Sequence, residues 1–161
     1  MLATIEIRRA TSFDCAAFAR SMFAAGAEGF LNLEPDVTVG RIEDAFREGS
    51  VDSDRDVLVA EGDGSLVGAL VGHPEVRRGV RSFGMWVDAG ARRQGVGRRL
   101  VAVALAGRPG HTFEIEVWPD NDPAIQLYAT IGFRPIRLLG KSCWRRDGTR
   151  SDVLLMRLTS H

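Results

Sequence analysis

The stretch RRQGVGRRL, residues 92–100, sets Gly95 and Gly97 among four arginines, between the apolar runs FGMWV and LVAVALA. A strand that ends in a glycine-containing turn and leads into a helix is a seat for an anion. The first N–H groups of the helix lack partners within it, and the helix dipole is positive there. Three ligands suit such a seat: a mononucleotide, a dinucleotide and the pyrophosphate of coenzyme A. GVGRRL lacks the third glycine of GxGxxG, and the chain contains no GxxxxGK[ST], which leaves coenzyme A as the best of the three and a purely structural turn as the alternative. A second group of residues follows in FEIEVWPDNDPAIQLYATIGFRPI, residues 113–136. It holds two strand carboxylates, Glu114 and Glu116, then Asn121 at a helix start and Tyr128, the single tyrosine of the chain.

These residues need elements to hold them. TIEIRRA (4–10) alternates as a strand does, and TSFDCAAFARSMFAAG (11–26) follows with a cap at Thr11 or Ser12 and apolar residues at helical spacing. A short helix is expected in DVTVGRIEDAFREG (36–49), closed by Gly49. RDVLVAE, the turn GDG and SLVGALVG read as a hairpin, with RSFGMWV (81–87) as the next strand. From Gly95 the period changes: Val96, Leu100, Val103 and Ala104 share one face of a helix that ends near GRPG. In HTFEIEVWP (111–119), Phe113, Ile115 and Val117 face one way and Glu114, Glu116 and Trp118 the other. NDPAIQLYATIG (121–132) is a helix capped by Asn121 or Asp122, with Pro123 in its first turn and Gly132 at its end. FRPIRLLG and DVLLMRL are two last strands, joined through the polar RRDGTRS. The alternation defines an α/β or α+β domain with a mixed sheet.

Composition limits the partners. The 161 residues suit one domain, residues 1–161, with 45% hydrophobic and 26% charged residues and a formal net charge of zero. That balance lacks the basic excess of a nucleic-acid binder, and no apolar run is long enough to cross a membrane. With no basic and apolar leader at the N-terminus, the expected location is cytoplasmic. Cys15 and Cys143 stand far apart outside any CxxC spacing, and His73, His111 and His161 are scattered, so neither a disulfide framework nor a metal site is expected. Both cysteines read as reduced, partly buried thiols.

Taken together, VDAGARRQGVGRRL and NDPAIQLYATIGF resemble the two signature motifs of the GNAT superfamily of acyl-CoA-dependent N-acetyltransferases. The first is similar to the cofactor motif [RQ]xxGx[GA], read over Arg92, Arg93, Gln94, Gly95, Val96 and Gly97. The second is similar to NxxAxxLYxxxGF, with Asn121, Ala124, Leu127, Tyr128, Gly132 and Phe133 all matching. The resemblance implies a mostly antiparallel central sheet of about seven strands flanked by about four helices. It also implies acetyl-CoA as co-substrate without a metal, and admits a homodimer. Met85, Trp86 and Val87 would offer backbone groups to the pantetheine arm, and Arg93 to Arg98 would offer backbone N–H groups to the pyrophosphate. Asn121 would cap its helix and hydrogen-bond the pantetheine. Gly84 is either a strand distortion that admits the arm or a packing accident.

The amine acceptor must be neutral to attack. A lysine-like amine is neutral in only about one molecule in 2,500 at pH 7, an α-amine in about one in seven. By the resemblance Glu116 holds the position of the general base, with Trp118 expected to raise its pKa by excluding water, while Glu114 reads as part of a solvated strand face. Tyr128 would give the departing sulfur a proton or a hydrogen bond. For the acceptor, EGFLNLEP offers Phe30 and Leu31 as apolar walls and Glu34 for a cation, and SCWRRDGTRS offers Trp144 with arginines for an anion. The expected activity is acetyl transfer to a small-molecule amine, such as an amino acid, a polyamine or an antibiotic-like amine. The alternatives are acetylation of a protein N-terminus of the ribosomal-protein type, and an acyl-CoA-binding sensor without turnover.

Overall fold

The computed structural model describes residues 1–159. In chain order the elements are β1 (Ile5–Arg9), α1 (Cys15–Ala27), α2 (Val39–Ser50), β2 (Asp56–Gly62), β3 (Ser65–Pro74), β4 (Val80–Val87), α3 (Val96–Ala106), β5 (Thr112–Val117), α4 (Asp122–Ile131), β6 (Arg134–Trp144) and β7 (Arg150–Leu158). Local chemistry sets several boundaries. The Thr11 N–H donates to the Asp14 carboxylate at 2.7 Å in the turn that opens α1. Thr38 caps α2 through the Arg41 N–H, and Asn121 caps α4 through the Ala124 N–H at 3.4 Å.

The seven strands form one mixed sheet in the order β1-β2-β3-β4-β5-β7-β6. Strand alternation sends β4 and β5 side chains to two different cores. Phe83, Phe113, Ile115 and Val117 join Leu100 of α3 and Phe133 on one face, and Trp86 joins Phe18 of α1 and Phe46 of α2 on the other. Burying a side chain such as Leu100 or Phe133 contributes about 1.5–3 kcal/mol, so both helix layers are firmly seated.

The site depends on one irregularity of this sheet. β4 and β5 are parallel and pair only at Val80–Thr112 and Arg81–Phe113. Beyond Arg81, β4 stays paired with β3 as far as Val87, while β5 pairs with β7 as far as Val117. The two strands therefore part company, and their facing edges border a wedge. Where they still touch, Arg81 is buried and donates to the Asp54 carbonyl at 2.6 Å and to the Asp56 carboxylate at 3.1 Å. Asp56 also receives Arg9 at 3.1 Å and Arg108 at 3.0 Å, so one carboxylate ties β1, β2, β4 and the end of α3 together.

Three expectations change here. Gly84 is no distortion: the β3–β4 register runs unbroken from Gly68–Val87 to Pro74–Arg81, and the shift in this part of the sheet lies between β2 and β3, where Val67 is skipped opposite Ala60/Glu61. A Cβ on Gly84 would meet no atom within 4 Å, so the residue keeps the wedge open. β6 runs to Trp144, past the expected end at Gly140, because Cys143 and Trp144 re-pair with Ser151 and Arg150 after an irregularity in which Lys141 has φ +47°. Both cysteines are buried, Cys143 more completely than Cys15.

Replacing Asp56 would leave the Arg81 guanidinium buried without a countercharge. Asp56→Ala is expected to cost about 3–5 kcal/mol in a urea titration; a loss below about 1 kcal/mol would show that the cluster does not anchor the strands.

Candidate active site

The turn between β4 and α3 takes a shape that side chains disfavour. Arg93 has φ +64° and Gly95, the residue before the helix, has φ +82°. Arg99 is the first helix residue whose N–H reaches a carbonyl, that of Gly95 at 3.1 Å, so the N–H groups of Val96, Gly97 and Arg98 lack helical partners. Gly97 lies where α3 meets α4: a Cβ there would come within 3.2 Å of Leu127 and 3.5 Å of Met85. The turn is thus an open row of donors at the positive end of a helix.

The side chains of the same motif are mostly engaged within the protein. Arg92 donates to the Val87 carbonyl at 2.9 Å and pairs with Glu28 at 2.7 Å, joining the end of β4 to the end of α1. Gln94 accepts from the Leu2 N–H at 2.6 Å and donates to the Gly90 carbonyl at 3.2 Å. Arg98 reaches Thr130 of α4 at 2.8 Å. Any role of Arg92 or Gln94 toward an anion therefore falls to the backbone. The Trp86 indole likewise faces away, donating to Ser21 at 2.8 Å in the α1 core, and leaves only its main chain at the wedge.

The wedge opens into a cleft of about 1360 Å³ that continues from one face of the sheet to the other. Pockets for one small ligand measure about 300–1,000 Å³, so there is room for a long cofactor and an acceptor. On the α3/α4 side it is lined by Met85, Val87, Gly97, Asn121 and Tyr128, and on the α1/α2 side by Phe30, Leu31, Glu116, Trp118 and Cys143. Tyr128 is buried, with its ring 6.0 Å from Phe83 and 5.6 Å from Phe133. Burial alone pushes its phenol well above the usual range, so the hydroxyl keeps its proton at neutral pH.

The carboxylates of β5 reverse part of the sequence reading. Glu114 is buried, and Arg77 and Arg157 both bond it, so it is an internal ion cluster and no solvated face. The Arg77 guanidinium, ahead of the cost of burial and the bond from Arg157, holds its carboxyl below the ordinary range. Glu116 is exposed to the cleft and accepts a hydrogen bond from the Cys143 thiol at 3.4 Å. Trp118 does not shield it: the indole packs with Cys143 and Val153, beneath the Arg145 guanidinium at 4.5 Å and beside Phe30 at 6.0 Å.

Of the acceptor candidates, Phe30 and Leu31 line the cleft, while Glu34 and Trp144 do not. Glu34 turns to Arg41 of α2 at 3.4 Å. Trp144 follows Cys143 on a strand, so when the thiol faces the cleft the indole faces away, against Arg150 at 4.9 Å. Its backbone N–H donates to Asn32 at 2.9 Å and ties the β6–β7 hairpin to the loop after α1. Cys143 and Asn32 were missed as site residues; strand alternation was the available signal for the first, and none existed for the second. Among the described residues, no group of His, Cys, Asp or Glu is arranged to hold a metal ion, and no helix is long and apolar enough to cross a membrane.

Comparison with known proteins agrees with this geometry. A family model described as an acetyltransferase (GNAT) domain matches residues 53–135, which span β2 to the start of β6. No curated protein matches the chain. Among solved structures, a ribosomal-protein-alanine N-acetyltransferase from Brucella melitensis is 26% identical, with 96% of this chain and 99% of that one covered and a TM-score of 0.81. A Salmonella typhimurium protein described as an acetyltransferase, with its cofactor acetyl-CoA, is 20% identical at a TM-score of 0.81, covering 98% and 94%. A protein assigned as a phosphinothricin N-acetyltransferase is 19% identical at 0.81, covering 98% and 99%. The chain belongs to the GNAT family of acetyltransferases. Acetyltransferases of this family use acetyl-CoA as co-substrate and act on amine acceptors. The donor row of the turn, the open β4 edge and the length of the cleft all suit that cofactor.

The Glu114 cluster makes stability depend on acid. Because the folded protein holds this carboxyl low, its contribution is present above about pH 4.5 and is lost as pH falls through the folded value. Glu114→Gln is expected to melt at lower temperature than the parent at pH 7 and to converge on it toward pH 3. Parallel melting curves across that range would remove Glu114 from the acid dependence.

Proposed function

We propose that this protein moves an acetyl group from acetyl-CoA directly to the primary amine of a small molecule, and that it does so as one domain, residues 1–161, in the cytoplasm. The observation that carries the reading is the wedge, which has unpaired helix N–H groups at one end and Glu116 at the other, with Tyr128 between the strands and the core. Acetyl-CoA supplies the acyl group already activated as a thioester. The N–H groups from Arg93 to Arg98 would hold its pyrophosphate, and the free backbone edge of Met85, Trp86 and Val87 would meet its amides. Asn121 would add a hydrogen bond from the helix start. Glu116 takes the proton of the incoming ammonium, and the Tyr128 hydroxyl hydrogen-bonds the departing sulfur. No covalent acyl-enzyme is required, because the cleft is long enough to bring both reactants together.

The roof of the acceptor end supports a small acceptor. The loop of Phe30 and Leu31 and the β6–β7 hairpin are joined by the bond from Trp144 to Asn32, and Arg145 lies across Trp118 and pairs with Asp120 at 2.8 Å. A peptide in an extended groove would have to part them. The 26% identity to the Brucella enzyme favours a second reading, acetylation of a protein N-terminus.

Calorimetric titration with acetyl-CoA, followed by free-thiol release against small amines and N-terminal peptides, decides between them. Release with a small amine is expected; release with peptides alone would select the second reading, and binding without any turnover would support a sensor. For the residues, Tyr128→Phe is expected to lower kcat about tenfold or more while leaving acetyl-CoA affinity nearly unchanged. An unchanged kcat where chemistry limits turnover would exclude that role. Glu116→Gln is expected to slow the reaction most below the pKa of the amine, and a profile identical to the parent would assign the proton to bulk water.

A further inference from the structure

We propose that Cys143 is a positioning residue, whose thiol holds the Glu116 carboxylate in place through a hydrogen bond to Oε2 and leaves Oε1 to receive the proton of the acceptor amine. The proposal rests on the reading of Glu116 as the base. Cys143 lies on β6 and Glu116 on β5, with Val153 and Leu155 of the intervening β7 between the two strands, and the cleft lies in front. The Sγ–Oε2 distance is 3.4 Å, an ordinary length for a thiol donor. Only 2% of Cys143 is exposed, with Trp118, Val153 and Leu139 around it, so this donor does not wander.

The chemistry of the pair fits a donor and not a nucleophile. Burial, reinforced by the negative charge of Glu116 and the bond to it, pushes the thiol up to about 12, against smaller opposing effects of Arg150 and Arg145. The thiol therefore keeps its proton wherever the enzyme works. A thiol is also the mildest donor available: it fixes the carboxylate without the full charge of an arginine, which would make the base too weak.

The other charged groups of the cleft leave this contact standing alone. On β5, Glu114 is matched by Arg77 and Arg157, and at the end of α1, Glu28 is matched by Arg92. On the β3 side, His73 and Glu75 lie 3.9 Å apart, and in the hairpin Arg145 is held by Asp120. Arg150 donates to the carbonyls of Lys141 and Ser142, and Arg137 of β6 lines the cleft across Leu155. None of these bonds Glu116.

Two readouts test the proposal, one of which needs no activity. The S–H stretch, seen in a region of the infrared spectrum that other protein groups leave clear, is assigned to Cys143 by its loss in Cys143→Val. In the protein without ligand that band is expected at a lower frequency than the Cys15 band and is expected to rise in Glu116→Ala, which removes the acceptor. In turnover, Cys143→Val is expected to lower kcat about fivefold and to move the acid limb of kcat/KM up by about half a pH unit, since the charged carboxylate loses a donor. Cys143→Ser, whose hydroxyl also donates, is expected to restore both.

A band that stays put in Glu116→Ala would overturn the bond itself. An unshifted pH profile in Cys143→Val, with activity lost only in proportion to folded protein in a thermal melt, would reduce Cys143 to packing. If the band shifts but Glu116→Gln retains the profile of the parent, the bond stands while the reading of Glu116 as base fails, and the positioning role fails with it.

Discussion

Parallel strands that pair at only two positions and then diverge leave main-chain donors and acceptors facing each other across a gap. Here that gap lies between β4 and β5, beyond Arg81 and Phe113. Unpaired backbone groups are tolerated only if water or a ligand satisfies them, because leaving one buried without a partner costs about as much as a lost hydrogen bond. A thioester cofactor with amides along its arm is complementary to such an edge, and water can hold the place until it arrives. The gap is stable because neither strand depends on the other: β3 holds β4, β7 holds β5, and the Asp56 cluster clamps the end where they meet.

The divergence also separates two electrostatic tasks by face. On the α3/α4 face the proposed attraction for an anion comes from the helix terminus, and two of the four arginines nearby are fastened to protein groups: Arg92 to Glu28 and Arg98 to Thr130. A seat made of backbone needs no rearrangement when its ligand arrives. On the α1/α2 face the carboxylates are sorted by partner. Glu114 and Glu28 are neutralised by arginines, whereas among the described residues Glu116 bonds only a thiol. In the proposed reaction this weakly partnered carboxylate is the one that takes the proton of the amine.

Much of this was legible in the sequence because the relevant signals are local. The glycines of the turn, the Asn121 cap and the alternation of FEIEV each follow from a few neighbouring residues, and each stands where that pattern puts it. The motif resemblance joined them into one fold. What was not legible depends on pairing across long separations. The fate of Gln94 is set by Leu2, 92 residues away. β6 shows how narrow the margin is: its irregularity near Lys141 decides whether Cys143 or Trp144 faces the cleft, since a shift of one residue turns every side chain to the other side. Glu114 failed for a similar reason, because its two arginines come from outside β5.

Tyr128 brings burial and chemistry into apparent conflict. A general acid works best when its pKa lies near that of the group it protonates, and a thiol titrates near 8.5 while an ordinary phenol titrates near 10. Burial pushes Tyr128 further from that match, so full transfer of its proton to a departing thiolate runs uphill. A hydrogen bond has no such requirement. Donated in a dry setting among Phe83 and Phe133, it stabilises charge growing on sulfur more strongly than water would, and the phenol keeps its proton afterwards. In the proposed reaction the environment that makes Tyr128 a poor acid is thus what makes it an effective donor, and the thiolate completes its protonation from solvent as the cleft rehydrates.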